Sequence, residues 1–438
     1  MRVLRVFYVA LVVVLLCLQY ATPLIVHGEI TPRETCSILY FINAIKVYNS
    51  LINDTLLLET PQNITLNTGL RQESTPIYVY NLGFNETLGS YVFNVSAGNG
   101  FFGFFISRIK VCYSDNSMIL GYYRLALNNP GYSISNESIP GDITTEYVKT
   151  PYSRVIEVVV PAFEDWFKNR YNSSVYSASK LGIAVNAAYF IYTEYFTYNA
   201  SSLPRTIDEV IESRQGDCDD MSRVLVELLS HYNIPAIIGY GYVYIPDLKL
   251  ETNLGNVTYY YVYNGPHAFV LAYIPGLGWV SLDFLAGSLL EYPFVFEGYT
   301  RETIVNDSEV QEVVDFHKKI SATQIFIVVD EEKYRNMFGE SISSLPSKIE
   351  KYIEGVSGGP DETTVSSSTT TTRSEAPAST TTVTRNSEPG IRGPGSALIA
   401  IMLLSVLVVA AGIALLVRRS TTSSSFFSPS LLFQPHIP

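Results

Sequence analysis

The first long apolar run of the chain, from Val6 to about Leu18, follows Arg2 and Arg5. A basic start and an uncharged stretch of this kind read as a secretory leader over residues 1–28. No cleavage motif stands out, so the run also suits a retained anchor reaching Val26. Near the other end, residues 396–417 carry no charge. At about 1.5 Å of rise per residue they span a hydrocarbon layer of about 30 Å as a helix. Arg418 and Arg419 follow directly. By the positive-inside rule they leave 418–438 as a short cytoplasmic tail and put the body of the chain outside.

Between these ends the pattern changes twice. Over residues 29–150, short aromatic and β-branched runs (77–80, 91–93, 119–123) alternate with Gly, Asn and Pro, which predicts a β-rich extracellular domain. From residue 155 the apolar positions fall at helical spacing, over 155–172 and 178–198, with a further turn or two at 208–214. After Met221, the residues Val224, Leu225, Leu228 and Leu229 share one helix face, and Pro235 stops the helix. Strands are then predicted at 236–244, 257–263, 267–274 and 279–282, the later ones separated by Gly-Pro and Pro-Gly turns. A helix at 308–319, a strand at 324–329 and a helix at 331–353 complete an α+β domain over 151–356. Residues 357–395 are rich in Ser, Thr, Pro and Gly. They have too few apolar side chains to offset ordering entropy, and read as a disordered stalk.

Composition narrows the functional classes. Apolar residues make up 47% of the chain and charged ones 16%, enough for a large core, and the 32 Tyr suit an exported protein. The formal net charge is −12 with no Lys/Arg cluster, which excludes binding of nucleic acid by counterion release. Asn-x-Ser/Thr sequons begin at Asn53, Asn63, Asn85, Asn94, Asn136, Asn172, Asn199, Asn256 and Asn306, all in the part expected outside.

Four cysteines bear on chemistry: Cys17, Cys36, Cys112 and Cys218. Cys17 lies in the leader, so an odd number remains in an oxidising compartment. Cys36 and Cys112 can pair and leave Cys218 free. The other arrangement has Cys218 in a bridge or simply buried.

Gly216 and Asp217 are turn and cap residues, so Cys218 falls at or just inside the N-terminus of the helix that runs to Tyr232. Unpaired N–H groups and the positive end of the helix dipole favour a thiolate there. Asp219 and Asp220 oppose it, so a cationic partner is needed. His267 opens the strand His267-Ala268-Phe269-Val270-Leu271, and Asp283 ends the next one. If the two strands pair, Asp283 can orient the His267 ring. A lone His beside Cys218, Asp219 and Asp220 lacks the paired spacing of a zinc site, so no metal is expected.

Three ordered blocks carry a further signal. They are Ile207 through Arg214-Gln215-Gly216-Asp217-Cys218-Asp219-Asp220 with Ile234-Pro235-Ala236 after it; His267-Ala268-Phe269; and Pro275-Gly276-Leu277-Gly278-Trp279-Val280 to Asp283. Together they resemble the transglutaminase-like superfamily, whose fold is papain-like. The resemblance implies a helix bearing the nucleophile packed on an antiparallel sheet. It also implies Cys218 as nucleophile, His267 as base and Asp283 as orienting acid, and no cofactor. Phe269 stands where Trp is common and Phe284 where Pro is common; neither change removes a chemical group. A second oxyanion donor is expected from Tyr198, with Tyr192 and Tyr195 as rivals. The expected function is acyl transfer from an amide or peptide bond of a protein or peptide substrate, on a body tethered to the membrane by its C-terminal anchor. Hydrolysis and cross-linking both remain open. The alternative is a catalytically silent cell-surface binding module of the same fold.

Overall fold

The computed structural model of the chain describes residues 34–65, 71–114, 117–285, 293–339, 341–357 and 365–366. The expected leader, membrane span, cytoplasmic tail and almost all of the stalk lie outside these residues. Among the described residues no helix is long and apolar enough to cross a membrane.

Strands come first: β1 (Glu34–Ser50), β2 (Asp54–Leu58), β3 (Ile64–Thr65), β4 (Arg71–Tyr80), β5 (Gly83–Asn85), β6 (Ser90–Val95) and β7 (Phe101–Ser114). Helices α1 (Ser117–Asn128) and α2 (Gly141–Tyr147) follow. A π turn (Val155–Val159) leads into α3 (Val160–Tyr171), and α4 (Lys180–Tyr189) ends in another (Phe190–Tyr195). Next come β8 (Thr197–Tyr198), α5 (Ile207–Ser213), β9 (Gln215–Gly216) and α6 (Cys218–His231). The chain continues as β10 (Ala236–Leu254), β11 (Val257–Ile274), β12 (Gly278–Ser281), β13 (Phe294–Thr300), α7 (Asp307–Lys319), β14 (Ile320–Asp330), α8 (Glu331–Phe338) and α9 (Leu345–Ser357). Two residues of the expected stalk form a short β15 (Val365–Ser366) alongside Leu250 and Glu251.

Among the described residues ten strands share one sheet, in the order β13-β10-β11-β14-β1-β7-β4-β3, with β12 on β11 and β15 on β10. β1 explains the join. Phe41, Ile45 and Val47 face one apolar cluster and Ile42 and Ala44 another. A strand buried on both faces belongs inside a sheet, not at its edge. β1 pairs antiparallel with β7 on one side and with β14 on the other, and β14 pairs parallel with β11. The β-rich N-terminal region and the α+β region thus share a sheet across the boundary expected near residue 150.

Each half of the sheet is covered on both sides. Around β1 and β7, the separate three-stranded sheet β2-β6-β5 packs Leu58, Tyr91, Phe93 and Val95 on one face. Phe338, Leu345, Ile349 and Ile353 of α8 and α9 cover the other. Around β10 and β11, Phe163, Phe167, Val224, Leu225 and Leu228 bury against Ala236, Ile238, Ala268, Val270 and Ala272. Ile143 and Tyr147 of α2 lie on the reverse face with Trp279, Phe294 and Phe296.

Three elements differ from expectation. The run 119–123 is part of α1, not a strand, because Ile119, Tyr123 and Ala126 recur at helical spacing and bury together with the helical layer. The helix expected over 331–353 breaks into α8 and α9 at Gly339, whose φ of 69° ends the first. Gly265-Pro266 does not separate two strands, since β11 runs straight through it. Beside β11, β14 pairs only as far as Val262 and β12 only from Leu271. The stretch between is therefore a local edge, where Pro is tolerated.

Candidate active site

Helix α6 begins because Asp217 caps it. The Asp217 carboxylate accepts from the Asp220 N–H, and Asp220 accepts in return from the Asp217 N–H. The other Asp217 oxygen accepts from the Ser201 N–H at 3.1 Å, tying the preceding loop to the helix start. Cys218 is thus the first helical residue. It is a free thiol, because Cys36 and Cys112 form a disulfide directly opposite each other on β1 and β7.

The acidic residues around Cys218 are structural. Asp220 is buried and pairs with Arg205 Nη1 at 2.6 Å and Arg223 Nη1 at 3.4 Å. Burial, then the Asp217 charge, pushes its carboxyl up to about 6 against the pull of Arg205. Asp219 pairs with Arg223. The oxygens of Asp217, Asp219 and Asp220 lie within 4.8 Å of one another, yet they are engaged by cap N–H groups and two guanidinium groups.

His267 lies on the open edge of β11. Its Nε2–H donates to Asp283 Oδ2 at 2.7 Å. The second Asp283 oxygen accepts from the Leu285 N–H at 3.1 Å, which fixes the carboxylate plane. Asp283 is fully buried and His267 nearly so. With Nε2 taken by Asp283, Nδ1 is the ring atom left for a thiol. The ring stacks on Phe269 with centroids 6.0 Å apart and meets the Phe294 edge at 6.5 Å, so Phe269 supplies the aromatic support expected of that position. Across the sheet His267 faces Gly241. A Cβ on Gly241 would lie 2.0 Å from the Val295 carbonyl oxygen, so only glycine fits there.

The sulfur lies close enough to the histidine strand for the Ala268 N–H, one residue past His267, to favour its thiolate form. The open edge of β11 leaves that N–H available. The acidity of the thiol differs from expectation. The thiol is pushed up to about 12, first by burial and then by the Asp217 charge, while the Ala268 and Cys218 N–H groups pull it down. The helix terminus does favour the thiolate as expected, but burial beside the capping carboxylate outweighs it.

The three candidate tyrosines differ in their surroundings. Tyr192 is buried, and its hydroxyl lies 2.9 Å from Ser222 Oγ. Ser222 Oγ donates its own proton to the Cys218 carbonyl at 2.6 Å. Tyr192 must therefore donate to Ser222, which uses up its proton. Nothing in the sequence marked this Tyr192–Ser222–Cys218 chain. Tyr195 packs against Phe190 and Phe196 under the Arg214 guanidinium. Tyr198 lies opposite Gly216 in the β8–β9 pair, two residues from Cys218, and is half exposed. The Asn199 N–H bonds the Gly216 carbonyl at 2.9 Å and holds it there. Burial and the Cys218 and Asp217 charges push its hydroxyl up to about 12, so it keeps its proton.

Residues 167–284 match the transglutaminase-like superfamily, a span that holds Cys218, His267 and Asp283 and starts well before residue 207, where the recognisable blocks begin. No curated protein matches the chain in sequence. Among solved structures, a candidate cysteine protease from Cytophaga hutchinsonii is 14% identical, with 68% of this chain and 93% of that one covered at a TM-score of 0.39. A candidate protease from Parabacteroides distasonis is 12% identical, with 60% and 47% covered at a TM-score of 0.22. Both likenesses are distant, and the assignment rests on the family match. Residues 167–284 of this chain are thus a transglutaminase-like region, which makes the chain a candidate cysteine-dependent enzyme.

Proposed function

We propose that the chain is a membrane-anchored, extracellular acyl-transfer enzyme acting on an amide or peptide bond through Cys218, His267 and Asp283. The observation that carries this reading is the 2.7 Å bond from His267 to a buried Asp283, on the strand whose Ala268 N–H acts on the thiol of a free cysteine at a helix start. A buried carboxylate spent on one histidine nitrogen orients the ring and stabilises its charged form.

The chemistry follows from the acidity of the thiol. With Cys218 protonated at rest, the proton moves to His267 Nδ1 as the sulfur attacks the carbonyl carbon. The resulting oxyanion faces the Cys218 N–H and the Tyr198 hydroxyl. As the C–N bond breaks, the imidazolium returns its proton to the departing amine and a thioester remains. Water resolves it in a peptidase or amidase, and a second amine in a cross-linker. The uncharged 396–417 segment followed by Arg418 and Arg419 supports the tether, and the Cys36–Cys112 disulfide supports an oxidising compartment.

The lowered acidity of the Cys218 thiol is the observation that favours the rival, a silent binding module. A thiol-reactive probe at neutral pH separates the two. Labelling of Cys218 that slows when His267 is replaced by Ala supports the enzyme; labelling that does not depend on His267, or none, supports the binding module.

A further inference from the structure

The two ends of the large sheet meet without a ladder. β13 stands at one end of the strand path, and β3 and β4 at the other. Phe296 of β13 lies opposite Gly241 of β10, yet its N–H and C=O are both taken by the side chain of Gln72 on β4. The Phe296 N–H donates to Gln72 Oε1 at 2.8 Å, and Gln72 Nε2 donates to the Phe296 carbonyl at 2.7 Å. A primary amide offers an acceptor beside a donor, as a peptide unit does, so Gln72 stands in for one residue of a neighbouring strand. Its Nε2 also donates to the Gln62 carbonyl at 2.7 Å, and the Gln62 N–H donates to the Phe296 carbonyl at 3.2 Å. Gln72 is only 1% exposed, so its loss would leave buried polar groups unpaired.

The strand held in this way carries the wall behind His267. Phe294 and Phe296 pack on Phe269 with ring centroids 5.2 and 5.6 Å apart. Phe269 and Phe294 in turn flank the His267 ring. The Val295 carbonyl, between the two phenylalanines of β13, closes on Gly241, the residue across from His267. Ile64 of β3 buries in the same cluster as these rings. Asp283 holds the imidazole at Nε2 alone. A ring bonded at one atom can still rock about that bond, so its plane is set by the rings packed against it.

We infer that Gln72 is a positioning residue for His267: by fixing β13 it fixes the Phe294 and Phe269 rings, and through them the aim of His267 Nδ1 at the Cys218 sulfur. The inference rests on the catalytic reading proposed above. It gives the N-terminal β-rich region a part in the reaction, through a side chain that itself bonds only the backbone of Gln62 and Phe296. Proton transfer between sulfur and nitrogen is sensitive to such placement, since a shift of about 1 Å can cost about 10²-fold in rate.

The test is a double-mutant cycle on the full chain. Its readout is the rate at which an activated acetyl ester modifies Cys218 at neutral pH, with a melting curve on each sample. Gln72→Leu removes the amide at similar size and should slow acetylation by roughly 10- to 100-fold. In a His267→Ala background the same change should alter the rate by less than about twofold, because the group that Gln72 positions is gone. Gln72→Asn keeps the amide but falls one methylene short of Phe296, and should give the same pattern. A purely structural role would slow both backgrounds alike. A His267→Ala chain that is acetylated as fast as wild type overturns the catalytic reading and the inference together. A slow His267→Ala chain, with Gln72 variants that react at the wild-type rate or slow both backgrounds equally, overturns the inference alone. Loss of the fold in both Gln72 variants does so too, since the seam would then serve the fold and not the ring.

Discussion

His267 Nε2 and Asp283 Oδ2 lie 2.7 Å apart, with the second carboxylate oxygen pinned by the Leu285 N–H. That bond selects the tautomer that leaves Nδ1 able to accept a proton. Asp283→Asn keeps the shape but can offer an N–H in place of an acceptor. Acyl transfer should fall by about 10²- to 10⁴-fold, while thermal unfolding shifts little. Turnover of an activated ester and a melting curve on the same sample check this.

Tyr198 and Tyr192 sit on the same sulfur's surroundings with different jobs. Tyr198→Phe should lower the rate by roughly 10²-fold, as loss of an oxyanion donor does, at unchanged stability. Tyr192→Phe breaks the chain through Ser222 to the Cys218 carbonyl. It should cost about 1 kcal/mol of stability and change the rate only a few-fold. Equal rate losses in the two variants would contradict the assignment.

The Cys218 thiol also sets a pH dependence. Its folded value, pushed up to about 12, lies above the unfolded value of about 8.5. A raised folded value favours the protonated form, so its contribution to stability is complete below the unfolded value. It is lost as pH climbs from there towards the folded value. Wild type should therefore lose stability with rising alkalinity more steeply than Cys218→Ser. Denaturant midpoints across that range measure the difference.

The Cys36–Cys112 bridge closes a sequence separation of 76 residues. Its removal by Cys36→Ala with Cys112→Ala should cost about 2–4 kcal/mol. It should leave Cys218 labelling unchanged, since the bridge lies on β1 and β7, away from α6. Unfolding with and without the bridge, alongside a labelling time course, tests both halves.

These expectations trace back unevenly to the sequence. The start of α6 was legible because Asp217 and the apolar face after it are local signals, and the His267 and Asp283 strands were legible from alternation and turns. The shared sheet was not: β1 and β14 meet across nearly 300 residues, and no local pattern encodes that pairing. Pro266 looked like a break because the sequence does not reveal that β11 has an open edge there. The thiol's acidity was misjudged for a similar reason. Dipole and charge arguments can be made from neighbours, but burial belongs to the packed structure. Tyr198 was chosen among three candidates by position alone. The hydrogen bond of Tyr192 to Ser222 sets one rival aside, while the Tyr195 hydroxyl, buried with no hydrogen-bond partner among the described residues, stays a second.

The central claim is that Cys218 takes an acyl group with His267 handling its proton. Incubation with an activated acetyl ester at neutral pH, followed by peptide mass mapping, reads this directly. Acetyl should appear on Cys218 in the wild type, more slowly by at least about tenfold in His267→Ala, and not at that position in Cys218→Ala. Acetyl absent from Cys218, or arriving at the same rate without His267, would contradict the claim.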